Sequence, residues 1–423
     1  MNPFSLNPLK MEQTIMPWRA MYPRPYDKNA VDPYTKTRII LMSGTEFETV
    51  WFSHQLSRKV DDNNLRRDLA LLRRSEQQQQ RLVSCLKPAD ESILEHTLSY
   101  EQLAVDLTAE LAKNETNMDV KRALDFALLE DFDHVYRYAN LLDMEYGLPA
   151  QDLTGGYLEI TPGRPTIAEH RHPYDSIRNH IGADDSLLTR MNASIITAAE
   201  QQTMNFYMNA ACLYPSDQGR KLYQEIGMIE EQHVSQYGSL IDPNATPLQA
   251  LLLQQYTECY LYYSCMQDET DPYIRNIWSH CFDMEVAHLH FAAQMLKNYE
   301  GADPQAVIPE AEFPRLLTLH SNIDYVRGVL ASQVDLTANR EVYVPVCSMP
   351  DDSDFARYQQ MVNQDVCAVP SHQVIDAYIG KFGTDYRYET QPNPIEALQN
   401  RRCDNVCVAR PQAEPAPTCC PQT

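Results

Sequence analysis

The stretch EIGMIEEQHVSQYGSL, from Glu225 to Leu240, places chargeable groups on an apolar helical stripe. With helical periodicity its apolar positions include Ile226 and Tyr237, and Glu230 and His233 fall on the same stripe. Residues three apart share a helix face, so this Glu-x-x-His sets a carboxylate beside an imidazole. Burying a carboxylate without compensation is costly. The stretch therefore predicts a helical assembly that supplies a compensating charge.

Three more helical segments carry the same kind of stripe. Glu200 lies on the first of the four and Glu258 on the third, while the fourth carries a second Glu-x-x-His. Their distances from the predicted turns, at 1.5 Å per residue, place the four carboxylates in one layer. Oxygen-rich ligation with one imidazole per ion suits two iron or two manganese ions better than structural zinc. The predicted metal ligands are Glu200, Glu230, His233, Glu258, Glu285 and His288.

The N-terminal half repeats this pattern in weaker form, which predicts a tandem duplication. A shift of 154 positions aligns Glu46 with Glu200, Glu76 with Glu230, Asp131 with Glu285 and His134 with His288, and one loop-length change aligns Glu101 with Glu258. Gln79 stands where the second half has His233. The weaker set of Glu46, Glu76, Glu101, Asp131 and His134 has two interpretations, a structural bundle that has lost its metal or a weaker or mixed metal site.

Breaks rich in Pro, Asp, Asn and Ser divide the chain into helices and predict an all-α fold of two tandem four-helix bundles with an irregular C-terminal tail. The predicted domains are an extended arm at 1–37, a first bundle with a long connector at 38–187, a second bundle with a connector at 188–345 and a Cys- and Pro-containing tail at 346–423.

Two other polar groups are interpreted more simply. The connector motif AEHRHP, with Glu169, His170 and His172, is a polar loop rather than a metal site. The tail cysteines lack paired Cys-x-x-Cys motifs, which favours free thiols over a metal module. These cysteines are Cys403, Cys407, Cys419 and Cys420.

Charge and hydropathy exclude several classes of partner. The 423-residue chain has a net charge of −23, which disfavours nucleic acid and anionic membrane. No apolar run approaches the roughly 20 residues of a membrane span. The N-terminus lacks a basic start followed by an apolar core, so no secretory signal is predicted and the expected location is cytoplasmic. The oligomeric state, including a homo-oligomer, stays open.

The stripes resemble those of the ferritin-like di-metal carboxylate superfamily, which includes rubrerythrins and manganese catalases, here tandemly duplicated. In that family one Glu comes from each of two helices and a Glu-x-x-His from each of the other two. The resemblance implies an oxidoreductase that acts on peroxide, dioxygen or a small organic substrate with an unidentified electron donor. Glu230 and Glu258 are then the expected catalytic carboxylates.

One feature departs from this family, whose bundles place a long crossover between the second and third helices. The IDPNAT connection after Leu240 is short, whereas the connector at 148–187 is long. If the middle hairpins pair instead, the site consists of Glu101, Asp131, His134, Glu200, Glu230 and His233. Glu200, Glu230 and His233 belong to both versions.

Two functions other than a redox enzyme stay open at this point. One is a metal-handling protein with ferroxidase or sequestration activity, although storage shells are usually built from single short bundles. The other is a structural, coat-type assembly protein in which the metal site is vestigial.

Overall fold

The structure is a computed structural model that describes residues 1–163, 171–364, 368–383 and 395. These residues are mostly helical, which confirms the all-α class. The helices are α1 (Pro33–Lys59), α2 (Asn63–Ser84), α3 (Ile93–Asn114), α4 (Met118–Tyr146), α5 (Ala150–Thr154), α6 (Leu187–Leu213), α7 (Asp217–Leu240), α8 (Pro247–Asp268), α9 (Pro272–Met295), α10 (Pro304–Val307), α11 (Ile323–Gln333), α12 (Asp354–Val362) and α13 (Pro370–Phe382). Strands β1 (Leu336–Asn339) and β2 (Val342–Pro345) form an antiparallel hairpin. Among the described residues, none of the helices combines the length and apolar character needed to cross a bilayer.

Local side chains fix where the long helices begin and end. The Asp32 carboxylate accepts a hydrogen bond from the Tyr34 amide at the start of α1. Ser92 and Glu95 form a reciprocal capping box at the start of α3. Gly147 ends α4 in the left-handed conformation, at φ 63°, which glycine adopts without steric cost. These caps set the level at which each helix presents its buried side chains.

The long helices pack in two groups of four. In bundle I, the hairpins α3–α4 and α6–α7 pack together through α3 with α6 and through α4 with α7. In bundle II, the hairpins α1–α2 and α8–α9 pack together through α1 with α8 and through α2 with α9. All of bundle I therefore lies, along the chain, between the two hairpins of bundle II.

This pairing corrects the prediction of consecutive bundles at 38–187 and 188–345. Each predicted bundle gives one hairpin to bundle I and one to bundle II. The long connector at 148–187 can run along a bundle and let α6 pack beside α3. The six residues at 241–246 are too few to return the chain along bundle I, so α8 turns away into bundle II.

The two bundles meet along α1 and α6. A Cβ added at Gly44 of α1 would lie 2.9 Å from the Ala198 carbonyl oxygen and 2.9 Å from Gln202 Cβ of α6, so the helices cross closely at a glycine. Gly44 lies two residues before Glu46, and Ala198 two residues before Glu200. The crossing therefore lies close to a predicted ligand of each bundle.

The N-terminal arm, predicted to be extended over 1–37, contains three short 3-10 turns at Pro3–Ser5, Met11–Gln13 and Trp18–Met21, and α1 begins already at Pro33. These turns pack on α2 and α9. Met11 and Met16 are buried, and the Gln78 amide accepts from Met16 N at 2.6 Å and donates to Met16 O at 3.0 Å. The arm is therefore part of the surface of bundle II.

The prediction of an irregular tail from 346 is corrected for its described part, which contains α12 and α13. Helix α13 packs against α4 and α7 of bundle I. The Ser371 amide and hydroxyl donate to Glu225 at 2.8 and 2.7 Å, and the Tyr378 hydroxyl donates to Asp143 at 2.7 Å. The predictions about Glu169, His170, Cys403, Cys407, Cys419 and Cys420 lie outside the described residues.

Candidate metal centres

Bundle I brings six potential ligands together, which we call centre I. They form two groups, and within each group the donor atoms lie within 4.8 Å of one another. The first group is Asp131, Glu200, Glu230 and His233, and the second is Glu101, His134 and Glu230. Glu230 belongs to both groups, as a carboxylate between two ions would. None of the six is more than 3% exposed.

The imidazoles of centre I present Nδ1 to the carboxylates. His134 Nδ1 lies 2.9 Å from Glu230 Oε1, and His233 Nδ1 lies 3.0 Å from Glu230 Oε2 and 3.1 Å from Asp131 Oδ1. His233 Nε2 lies 2.7 Å from Glu130 Oε2. A carboxylate behind an imidazole fixes its tautomer and raises its basicity, a common arrangement for metal-binding histidines.

Burial places strong electrostatic demands on centre I. Burial, and the charge of Glu230, raise the pKa of Glu101 well above its usual value, and burial with a neighbouring carboxylate does the same to the pKa of Glu200. Burial opposes ionisation of Glu230, but His134 and His233 lower its pKa to about 2. Burial would also lower the pKa of His233, yet the surrounding carboxylates raise it well above its usual value. The cluster therefore favours added positive charge.

Hydrogen bonding leaves much of this negative charge uncompensated. Within the described part of the chain, neither oxygen of Glu200 has a hydrogen-bond donor, and Asp131 has only the His233 ring, with Nδ1 3.1 Å from Oδ1, beside it. Buried polar groups are nearly always paired, and an unpaired one costs about 1–3 kcal/mol or more. Two divalent cations would balance the four carboxylates, so this donor set fits a pair of metal ions.

Bundle II forms a second cluster, centre II, from one or two side chains on each helix. Donor atoms of Glu76, Glu285 and His288 lie within 4.8 Å of one another, as do those of Glu46, Glu76 and Glu258. All five side chains are fully buried. Glu76 belongs to both groups, as Glu230 does in centre I.

Two glutamines distinguish centre II from centre I. Gln79 Nε2 donates to Glu285 Oε1 at 2.7 Å. Gln255 Nε2 donates to Glu258 Oε2 at 2.6 Å, and the Thr49 hydroxyl donates to Glu258 Oε1 at 2.5 Å. Both oxygens of Glu258 therefore accept hydrogen bonds from the protein itself.

The titration of centre II is shaped mainly by burial. Burial and the charge of Glu76 raise the pKa of Glu46 and of Glu258 well above the usual value. The same two causes raise the pKa of Glu285 to about 7. Burial opposes protonation of His288, but Glu76 and Glu285 raise its pKa to about 10. Centre II also favours added positive charge.

The single site predicted for the second half of the chain is divided between the two bundles, which corrects the prediction of one six-ligand layer. All eleven predicted residues are buried. Centre I is the set given by pairing of the middle hairpins. Glu200, Glu230 and His233 join Glu101, Asp131 and His134 in centre I, while Glu258, Glu285 and His288 join Glu46 and Glu76 in centre II.

Sequence reasoning missed Glu130 and Ser75, the residues behind the ligand histidines, although an offset of 55 positions relates the two bundles. In each hairpin, a position on the first helix lies thirty residues before an acid on the second: Glu46 and Glu76, Glu101 and Asp131, Glu200 and Glu230, Gln255 and Glu285. The same offset relates Ser75 to Glu130 and Tyr262 to Tyr207. Each of these tyrosines donates to the first glutamate of its centre, Tyr262 to Glu46 at 2.6 Å and Tyr207 to Glu101.

Comparison of the chain with protein-family models, with curated proteins and with solved structures found no match. The function is therefore inferred from the chemistry of the two centres.

Proposed function

We propose that the protein is a ferritin-like di-metal carboxylate oxidoreductase, with its reaction at centre I and peroxide or dioxygen as the oxidant. The observation that carries this proposal is the origin of the six donors. One Glu comes from each of α3 and α6, and a carboxylate-x-x-His from each of α4 and α7. Ferritin-like bundles place their ligands in this way. The connector at 148–187 also stands between the second and third helices, as their crossover does.

The donor set suits two iron or two manganese ions, because it combines many carboxylate oxygens with one imidazole per ion. Bound as a pair, such ions supply the electron transfer that reduction of dioxygen or peroxide requires. Glu101 and His134 would hold one ion and Asp131, Glu200 and His233 the other, and Glu230 belongs to both groups. Asp131 is the one departure, since a shorter carboxylate replaces the expected Glu.

The protein's own residues would orient the ligands, exclude water and hold protons. Glu130 holds the His233 ring with Nδ1 toward the carboxylates. The Tyr207 hydroxyl holds a proton beside Glu101. The near-complete burial of the donors restricts the oxidant to a small molecule, which favours peroxide or dioxygen over a larger organic substrate. The electron donor and the cytoplasmic location stay predictions from the sequence.

The test measures the metal content, the absorption spectrum and the consumption of peroxide and dioxygen by the full chain. These measurements are compared between the wild type, His233→Ala and a matched control. His96→Ala is that control, because His96 is also buried beside a carboxylate, with Nδ1 3.2 Å from Glu91, but lies outside centre I. We expect His233→Ala to lose about two ions and the turnover, and His96→Ala to keep both.

Two results would overturn the proposal. One is wild-type protein that contains neither iron nor manganese at centre I after growth with both metals. The other is a His233→Ala variant that keeps its metal and its turnover. Circular dichroism of each variant distinguishes loss of ligands from loss of fold, since metal binding can be coupled to folding.

A further inference from the structure

The His288 ring of centre II is oriented by a chain of hydroxyl groups that starts in the N-terminal arm. The Thr14 hydroxyl donates to Met11 O at 2.8 Å, and the Ser75 hydroxyl donates to Thr14 Oγ1 at 2.7 Å. Because the Ser75 proton points to Thr14, its oxygen accepts from His288 Nε2, at 2.8 Å. This relay of hydroxyl groups therefore fixes a proton on Nε2 and turns Nδ1 toward the carboxylates.

Nδ1 of His288 faces negative charge. His288 Nδ1 lies 3.1 Å from Glu76 Oε1 and 3.1 Å from Glu285 Oε1. Among the residues that the structure describes, Glu76 Oε1 faces only this nitrogen and Oε2 of the fully buried side chain has no hydrogen-bond partner. Two buried carboxylates that converge on one imidazole nitrogen need positive charge between them, and a divalent cation in place of the Nδ1 proton would supply it and be ligated by all three groups.

The rest of centre II provides for one cation rather than two. Both oxygens of Glu258 accept hydrogen bonds, from Thr49 and from Gln255. Gln79 stands at the position of a second imidazole and uses its amide to donate to Glu285. A second ion at Glu258 would have to displace these bonds.

We propose that centre II binds a single divalent transition-metal ion through Glu76, Glu285 and His288. Two carboxylates balance its charge, and one imidazole with two carboxylates is a donor set used by divalent manganese, iron and zinc. Thr14 and Ser75 are positioning residues for His288. The chain then carries three ions when both centres are filled, and this site does not depend on the redox function of centre I.

The test loads metal-free full-length protein with Mn²⁺ alone and measures bound manganese together with the electron paramagnetic resonance spectrum. A coupled manganese pair gives a broadened spectrum, whereas an isolated Mn²⁺ shows its resolved hyperfine pattern. We expect three ions per chain and an isolated component. His288→Ala should remove one ion and the isolated component, while His233→Ala should leave that component in place.

Two milder variants keep the test decisive if His288→Ala fails to fold. Glu258→Gln preserves a hydrogen-bond acceptor and should leave all three ions bound. Thr14→Val removes the end of the relay without touching a ligand and should weaken Mn²⁺ binding at centre II by about ten-fold, as losses behind metal ligands do. In the opposite direction, Gln79→His with Gln255→Glu should add a fourth ion.

The results separate the two proposals. An isolated Mn²⁺ that is lost in His288→Ala upholds centre II even if no metal pair binds, and the absence of the pair then counts against the redox function alone. Four ions in the wild-type protein, loss of an ion in Glu258→Gln, or an isolated component that survives in His288→Ala would overturn the single-ion site.

Discussion

Centre I and centre II occupy equivalent levels of two related bundles, yet they compensate buried carboxylates in different ways. Across the offset of 55 residues, His134 corresponds to Gln79 and Glu200 to Gln255. Each glutamine donates an amide N–H to a neighbouring carboxylate, at 2.7 Å to Glu285 and 2.6 Å to Glu258. A buried carboxylate can be balanced by a cation or by donated hydrogen bonds. At these two positions centre II has hydrogen-bond donors where centre I has potential metal ligands.

The group behind each histidine differs as well. Glu130 lies behind His233, while Ser75 occupies the equivalent place behind His288. A carboxylate makes the imidazole a stronger base than a hydroxyl does, and so a stronger metal ligand. Centre I therefore has both more ligands and better supported ligands, in keeping with the proposal that it is the reactive site.

The largest expected effect comes from removing the carboxylate at equivalent positions of the two centres. Glu230→Ala should lose about two ions and reduce oxidant consumption to the level without protein, because Glu230 belongs to both ligand groups of centre I. Glu285→Ala should lose one ion and keep the turnover. Metal analysis and peroxide or dioxygen consumption check both variants, and loss of turnover in Glu285→Ala would mean that the two centres act as one.

A smaller effect is expected from the groups behind the histidines. Glu130→Gln should weaken metal binding at centre I by about 10–100-fold, because the amide no longer holds His233 as a strong base. Ser75→Ala should weaken binding at centre II by about ten-fold or less, since a neutral hydroxyl is lost. Competition with a chelator measures both. An equal loss in the two variants would show that the charge behind the imidazole does not distinguish the centres.

The buried stripes could be predicted from the sequence because each is a local property of one helix. Capping residues such as Asp32 and Ser92 limit the helices, and the position of Glu230 or His288 on an apolar stripe predicts its burial once the helix is placed. The pairing of hairpins is not local. All four hairpins present a similar acidic stripe, so any two could complete a site, and only connection length favours the observed pairs.

The supporting residues could not be predicted for a related reason. Ser75 and Thr14 are ordinary polar residues until the arm is packed on α2, and their hydrogen bond joins positions 61 residues apart. Gln255 could have been found, since it stands thirty residues before Glu285 as Glu200 does before Glu230. Glu258 is the better metal ligand by residue type, but only Gln255 keeps the thirty-residue register.

The crossing of α1 and α6, where the two bundles meet, offers a test of how tightly they pack. Gly44→Ala should destabilise the protein by about 1–3 kcal/mol, because the new Cβ meets Ala198 O and Gln202 Cβ at 2.9 Å and overpacks the crossing. Gly238→Ala is the matched control in α7, where the nearest contact would be Thr197 Cγ2 at 3.9 Å, and it should be neutral or stabilising by up to about 1 kcal/mol. Denaturant unfolding measures both, and equal effects would mean that the crossing is not tightly packed.

The smallest expected effect concerns Glu225, a carboxylate of bundle I that is buried beneath α13. Glu225 accepts two hydrogen bonds from Ser371 of α13, whereas the equivalent position in bundle II is the exposed His280. Burial raises the pKa of Glu225 to about 7, against the pull of the Ser371 bonds. The folded protein therefore binds this proton more tightly than the unfolded chain.

Stability from a raised pKa is present below the unfolded value and is lost as the pH rises through the folded value. Between about pH 5 and about pH 8, the docking of α13 should weaken on the order of 1 kcal/mol, and hydrogen exchange of its amides, corrected for intrinsic rates, should show it. Glu225→Gln keeps an acceptor for Ser371 but cannot ionise, so its α13 protection should be independent of pH over this range, while His280→Gln should behave as the wild type. A pH dependence that persists in Glu225→Gln would assign the effect to another group under α13.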